Sequence, residues 1–283
     1  MFALIAPLMI ATAAAAEPTV AVTPATVTAG EPVLVTVTDV AAPPRGTANG
    51  TALQFVHGKR GYQAVFAVPL DAGAPGKSDS VTVRIHSVAT SAKVAVQPAT
   101  FPETSIIVED DMANPPPAER ARIDADNAAI LAAVAKASGE PRFDHAFARP
   151  PGEVTSTYGE WRTFNDGHRS QHLGLDLFAR EGSKVKTINA GTVVLVRDCF
   201  LAGNVVVVAH GGGIASAYYH LSKVEVREGD ELAQGSVVGL AGHTGRTTGP
   251  HLHLTVRVPG GFVDPAGFFK LGFAPAPNAV SAR

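Results

Sequence analysis

Thr248-Gly249-Pro250-His251-Leu252-His253-Leu254 opens an alternating run that continues Thr255-Val256-Arg257-Val258, and its reading decides the fold. A Gly-Pro turn leads into a β-strand. Side chains two apart on a strand face the same way, so His251 and His253 stand side by side on one face. Two such imidazoles can bind a metal together, or one can bind while the other handles protons. The pair alone leaves a third reading open, a histidine-bearing strand with nothing bound, and the rest of the chain weighs on the choice.

Upstream, His172-Leu173-Gly174-Leu175-Asp176-Leu177-Phe178 alternates apolar with other residues. On a strand, His172, Gly174 and Asp176 share a face, and Gly174 removes bulk between two potential ligands. Ala215-Ser216-Ala217-Tyr218-Tyr219-His220-Leu221 adds His220 from another apolar strand. Three segments therefore offer metal-compatible side chains. Zinc takes His nitrogens and carboxylate oxygens, and a catalytic site keeps one position for water. Other histidines are read differently. His57 and His86 are isolated, and His168 lies in a loop that can border a groove.

The chain has 283 residues, room for two domains, with a formal charge of −2. Near neutrality argues against nucleic-acid binding, which shows a basic patch or stripe. Residues 1–16 carry an apolar core with small residues at its end, as in a secretory signal peptide, although Lys and Arg are missing from its start. No later stretch is long and apolar enough to span a bilayer. The single cysteine, Cys199, excludes a disulfide within the chain and is read as a core or loop residue. Nothing in the sequence gives an oligomeric state.

Residues 17–108 show short alternating runs, among them Pro32-Val33-Leu34-Val35-Thr36-Val37 and Val81-Thr82-Val83-Arg84-Ile85, separated by turn clusters. This pattern predicts a β-sandwich, Ig-like in outline. Residues 109–146 form a Pro-rich break and a helix from about Pro117 to Ser138, with Gly139 placed as a C-cap and Ile123, Ile130, Leu131 and Val134 as an apolar stripe. That helix is expected to pack between domains. Residues 147–273 form a second strand-rich domain, and the Ala/Pro-rich residues 274–283 read as a disordered tail. The fold class is mainly β: a sandwich, a connecting helix and a C-terminal antiparallel sheet.

His172-x-x-x-Asp176, Tyr219-His220-Leu221 and His251-x-His253, in this order, resemble the lysostaphin/LytM-type zinc metallopeptidases. The resemblance extends through Gly191-Thr192-Val193, Gly203-Asn204, Gly229-Asp230, Gly245-Arg246-Thr247-Thr248-Gly249-Pro250 and Val263-Asp264-Pro265. The preceding β-domain also resembles, in pattern, the Ig-like domain found before this peptidase domain in some relatives. The resemblance implies one zinc ion per chain held by His172, Asp176 and His253 in a groove over the sheet. It implies His220 and His251 as catalytic histidines that bind no metal. It further implies a periplasmic, envelope or secreted endopeptidase that hydrolyses peptide cross-links of cell-wall peptidoglycan, with its stem peptides and cross-bridges as partners. A second reading is a metal-free wall-binding module that activates a separate hydrolase. Retention of all five positions argues against it.

Overall fold

The computed structural model describes residues 16–165 and 167–275. The stretch read as a signal peptide lies outside these but for its last residue, as does the tail beyond residue 275. Pro275, in the segment read as a disordered tail, forms a bridge with Gly58.

Nine strands make two facing sheets. One sheet runs in the order β1 (Thr19–Thr23), β3 (Pro32–Thr38), β7 (Gly61–Ala67), β6 (Val56–Gly58). The other runs β2 (Thr26–Thr28), β9 (Thr90–Gln97), β8 (Ser80–Ile85), β4 (Gly46–Ala48), β5 (Thr51–Ala52). Val33, Val35, Val37 and Phe66 of the first sheet meet Val81, Val83, Ile85 and Val94 of the second. Strand period two puts those residues on one face and their neighbours on the other. The neighbours Leu34, Val65 and Ala67 are also buried, in a second core shared with Phe143, Ile214, Val258 and Phe273. The first sheet is thus covered on both sides, which explains why β3 reads as a nearly continuous apolar run.

Strand β10 (Glu103–Ile106) leaves the sandwich and pairs in parallel with β12 (Trp161–Phe164), whose other edge carries β13 (His168–Gln171). Between β10 and β12 the chain forms α1 (Asp110–Ala113) and α2 (Pro117–Ala135). The C-terminal half is built on an eight-stranded antiparallel sheet. Its order is β11 (Val154–Ser156), β14 (Leu175–Phe178), β22 (His251–Val258), β18 (Ile214–Leu221), β17 (Gly203–Gly211), β16 (Gly191–Cys199), β20 (Glu231–Leu232), with β23 (Gly261–Val263) paired to β22. A small antiparallel sheet of β15 (Lys184–Lys186), β21 (Val237–Leu240) and β19 (Lys223–Val224) flanks it. The short α3 (Pro265–Lys270) is capped by Asp264, whose carboxylate accepts from Ala266 N and Gly267 N.

The two faces of the large sheet have different covers. Leu175, Leu177, Leu252, Leu254, Val206 and Tyr218 face the core shared with the sandwich. Val205, Val207, Ala215, Ala217 and Tyr219 face α2. Coverage on both sides explains why β17 and β18 are almost wholly buried. The helix therefore packs on the C-terminal sheet and not between the domains as the sequence suggested. Its buried apolar stripe is Ile130, Ala133 and Val134, continued by Ala137 just past the helix end, at i, i+3, i+4, i+7 spacing, which leaves Leu131 54% exposed. Asp126 pins the helix: its buried carboxylate accepts from Arg197 Nε at 2.7 Å and Phe200 N at 2.9 Å. The helix ends at Ala135, and Gly139 serves the turn beyond it, where its carbonyl accepts from Gly212 N. Among the described residues no helix is long and apolar enough to cross a membrane.

Candidate metal centre

The site forms where α2 stops covering the sheet. Asp176 of β14 lies opposite His253 of β22 in register, and His253 lies opposite Tyr219 of β18. Asp176, His253 and Tyr219 therefore share the face that α2 covers further along. His251, opposite Phe178, stands one pair on along the same face, as the alternation in the sequence predicts. His172 reaches the site by another route. It precedes β14, in the turn after β13, where its N–H donates to Glu160 O and its carbonyl accepts from Gly159 N. The expectation that His172 and Asp176 share a strand is thus corrected. Gly174 makes room against β22 and not between His172 and Asp176: a Cβ there would come within 2.5 Å of His253 Cε1 and 2.6 Å of Leu254 O.

Three donor atoms converge. His172 Nε2 is 3.1 Å from Asp176 Oδ1 and 2.8 Å from His253 Nδ1, and His253 Nδ1 is 2.7 Å from Asp176 Oδ1. Backbone carbonyls set the tautomers, because a carbonyl only accepts. His172 Nδ1 donates to Thr157 O at 2.8 Å, so Nε2 keeps its lone pair for the centre. His220 Nδ1 donates to Thr244 O at 2.7 Å and His251 Nδ1 to Gly249 O at 2.9 Å. Their Nε2 atoms keep their lone pairs, and the two rings lie 5.0 Å apart. The second oxygen of Asp176 is held from outside by Arg162 Nη2 at 2.6 Å. Arg162 is itself fixed by Glu160 at 3.1 Å and by Ser156 Oγ at 2.6 Å, and Ser156 also bonds Glu160.

These surroundings keep the groups in metal-binding form. Burial pushes His253 down to about 4 against the pull of Asp176. Burial, with His253 and His251 beside it, pushes His220 down to about 3. Burial opposes the Asp176 charge, but the neighbouring His253 and His172 outweigh it and hold the carboxyl well below the usual carboxylate range. Metal binding requires neutral imidazole and ionised carboxylate. Zinc accepts two histidines and one carboxylate at about 2.0–2.2 Å each, and this donor set, with all three ligand atoms within 4.8 Å of one another, fits one ion.

The remaining histidines lie elsewhere. His210 is buried behind the sheet between Ala190 O and Ser216 Oγ. His243 is exposed beside Glu181. His168 lines the groove. Cys199 is buried, and burial raises its thiol to about 11, which removes it as a nucleophile. Tyr218 is wholly buried with its hydroxyl near Ser216, Thr187 and Ile188 N. The sequence reading passed over Arg162, Glu160 and Ser156. Nothing in their spacing signals that they support Asp176.

The site opens into a groove of about 1500 Å³ that is also lined by Ile106 to Val108, by Asn114 to Pro117, and by Arg120 and Asp124 of α2. Residues 170–265 match the family model described as Peptidase family M23. Peptidoglycan DD-endopeptidase ShyA of Vibrio cholerae serotype O1 is 44% identical over 89 residues, 31% of this chain and 21% of that protein. Lysostaphin of Staphylococcus simulans is 34% identical over 121 residues, 38% of this chain and 24% of that protein. The matched region thus spans about a fifth to a quarter of these curated relatives. A crystal structure from Pseudomonas aeruginosa assigned to peptidase M23 superposes over 87% of this chain and 95% of its own, with TM-score 0.61 and 28% identity. Matched sequence and matched architecture agree on one point: this chain carries a peptidase family M23 domain.

Proposed function

We propose that the chain is a zinc-dependent endopeptidase that hydrolyses peptide cross-links of bacterial cell-wall peptidoglycan, acting outside the cytoplasm. The observation that carries this reading is the convergence of His172 Nε2, Asp176 Oδ1 and His253 Nδ1, with His220 and His251 side by side next to them. His172, Asp176 and His253 would hold the zinc. When bound, the metal supplies Lewis acidity toward a water and a peptide carbonyl. The chain's own residues do the rest. The Nε2 lone pair of His220 or His251 can take a proton from the attacking water, and the imidazolium so formed then donates to the oxygen that gains charge. The proton then passes to the leaving amine. Thr244 O and Gly249 O hold both rings in the tautomer this needs. Arg162 fixes the Asp176 carboxylate so that Oδ1 stays turned to the centre.

The test is incubation of zinc-loaded protein with purified peptidoglycan and mass analysis of the soluble fragments. Release of peptides with new termini, abolished by chelation and restored by zinc, is the expected result. Protein that takes up no zinc and releases no fragment would instead favour the metal-free wall-binding module.

A further inference from the structure

Two arginines line the groove beside the metal centre, and they are in opposite states. Arg162 is spent: Glu160 and Asp176 take its charge. The guanidinium of Arg246 lies 3.9 Å over the Phe164 ring. Among the described residues it has no carboxylate in ion-pair range and no side-chain hydrogen bond. Stacking occupies the face of the guanidinium and leaves its N–H edge free. Burial, with Arg162 beside it, pushes Arg246 down to about 10, so it stays charged at neutral pH. A half-buried cation next to a like charge, with no carboxylate partner among the described residues, is costly, and a ligand carboxylate in the groove would relieve it.

The position is fixed relative to the reacting groups. Arg246 N donates to Leu201 O at 2.8 Å. Gly245, at φ 74, packs so closely on the β17 turn that a Cβ would lie 2.4 Å from Gly203 N. Two residues before Arg246, the Thr244 carbonyl accepts from His220, and His251 follows five residues after it. One short, pinned loop therefore carries the cation and the carbonyl that orients a proposed catalytic histidine.

We propose that Arg246 binds a free carboxylate of the peptide substrate next to the scissile bond, so that the site selects peptides bearing that carboxylate over their amidated counterparts. The choice of peptide rests on the endopeptidase reading; the carboxylate is either a chain terminus or an acidic side chain. Arg suits this task because its planar fork meets a carboxylate with two parallel hydrogen bonds.

The experiment uses zinc-loaded full chain with His251→Ala, which allows binding to be measured without turnover. Three probes are titrated calorimetrically: a cross-linked stem-peptide dimer with all carboxylates free, the same dimer amidated at its terminal carboxyl, and the same dimer amidated at the diaminopimelate side-chain carboxyl. The free dimer is expected to bind roughly 10-fold to 100-fold tighter than one of the amidated forms, the range of a charge-assisted pair, and that form identifies the carboxylate. Adding Arg246→Gln should bring the ratio near one with zinc content unchanged. Arg246→Lys, a milder variant that keeps the charge, should reduce the ratio without abolishing it. Arg120→Gln, on α2 in the lining of the same groove, should leave it intact. Equal binding of the three dimers, full discrimination in both Arg246 variants, or equal loss in Arg120→Gln overturns the assignment. Hydrolysis of the same dimers by unsubstituted protein is followed in parallel. No hydrolysis of any dimer defeats the endopeptidase reading, while the binding ratios still decide the role of Arg246.

Discussion

The ring of His220 stands 5.0 Å from that of His251, on the sheet face already taken by its own predecessor, Tyr219. Strict alternation would send His220 to the opposite face. The backbone avoids this by entering the left-handed region at His220, with φ 58. The pairing of β17 with β18 slips between Asn204 and Val206 at the same place. His220 N donates to Ala202 O, and Asn204 Nδ2 donates to Leu221 O, so the irregularity is fully bonded. A non-glycine residue in this conformation costs about 1–2 kcal/mol. The fold accepts that cost where it delivers a second histidine to the centre.

His220→Asn tests whether the distortion serves chemistry. Asn tolerates left-handed backbone better than most residues, so folding and zinc content should stay near those of the unsubstituted protein. Hydrolysis should fall about 10²–10⁴-fold, the usual effect of losing a proton-transfer group. Full activity in the Asn variant would make the position purely structural.

Arg162→Met removes the donor to Asp176 Oδ2, a bond of 2.6 Å on a side chain 7% exposed. Partners behind a metal ligand are typically worth about 10–100-fold in metal affinity. Competition against a calibrated chelator should show a loss in that range, with the Glu160–Ser156 pair left intact. Unchanged affinity would mean that the histidines alone position the carboxylate.

The sequence made some of this site legible and hid the rest for a physical reason. His251 and His253 sit in an unbroken strand, so period two placed them correctly. His172 looked like part of the same strand as Asp176, but the chain turns between Gln171 and Leu175, and residue identities do not mark that turn. Oxygens that set tautomers belong to Thr157, Thr244 and Gly249 backbones, and any side chain could accompany them. Arg162 on β12 and Asp176 on β14 are separated by the whole of β13, and β10 pairs with β12 across more than fifty residues. Local pattern carries no information about such partners. The expected helix face holds at Ile130 and Val134 and fails at Leu131, because alanines meet the sheet beside them.

Gly174→Ala probes the crowding against β22. The new Cβ would meet His253 Cε1 at 2.5 Å and the Leu254 carbonyl at 2.6 Å. The carbonyl belongs to the central sheet and cannot yield like the end of a flexible side chain. The variant should lose zinc affinity and melt earlier even without metal. Unaltered zinc titration and melting would show that β14 can shift away from β22.

His210 predicts a pH effect separate from the metal. It is fully buried, with Nδ1 donating to Ala190 O at 2.7 Å and Nε2 2.8 Å from Ser216 Oγ. Burial pushes it down to about 4, from 6.5 for an unperturbed histidine, against the opposing pull of Ala190 O. A histidine with a depressed folded value contributes stability that is present above the unfolded value and lost as pH falls from about 6.5 toward 4. The loss amounts to about 3 kcal/mol between pH 7 and 4. Urea unfolding of metal-free protein at both pH values should show a smaller drop, by about that amount, for His210→Gln. Parallel pH profiles would place the acid sensitivity elsewhere.

The two histidines of β22 should separate metal binding from chemistry. They share one face, yet His253 Nδ1 lies 2.7 Å from Asp176 Oδ1 while His251 Nε2 lies 3.7 Å from it. His253→Ala leaves two protein ligands of three, so zinc binding and wall hydrolysis should both fail. His251→Ala leaves all three ligands and removes a basic nitrogen, so near-stoichiometric zinc should persist while hydrolysis drops about 10²–10⁴-fold. Metal analysis and fragment release on both variants, with folding checked by circular dichroism, decide the matter. An empty site in His251→Ala with a loaded one in His253→Ala would reverse the assignment, and two loaded, active variants would move the centre off this strand.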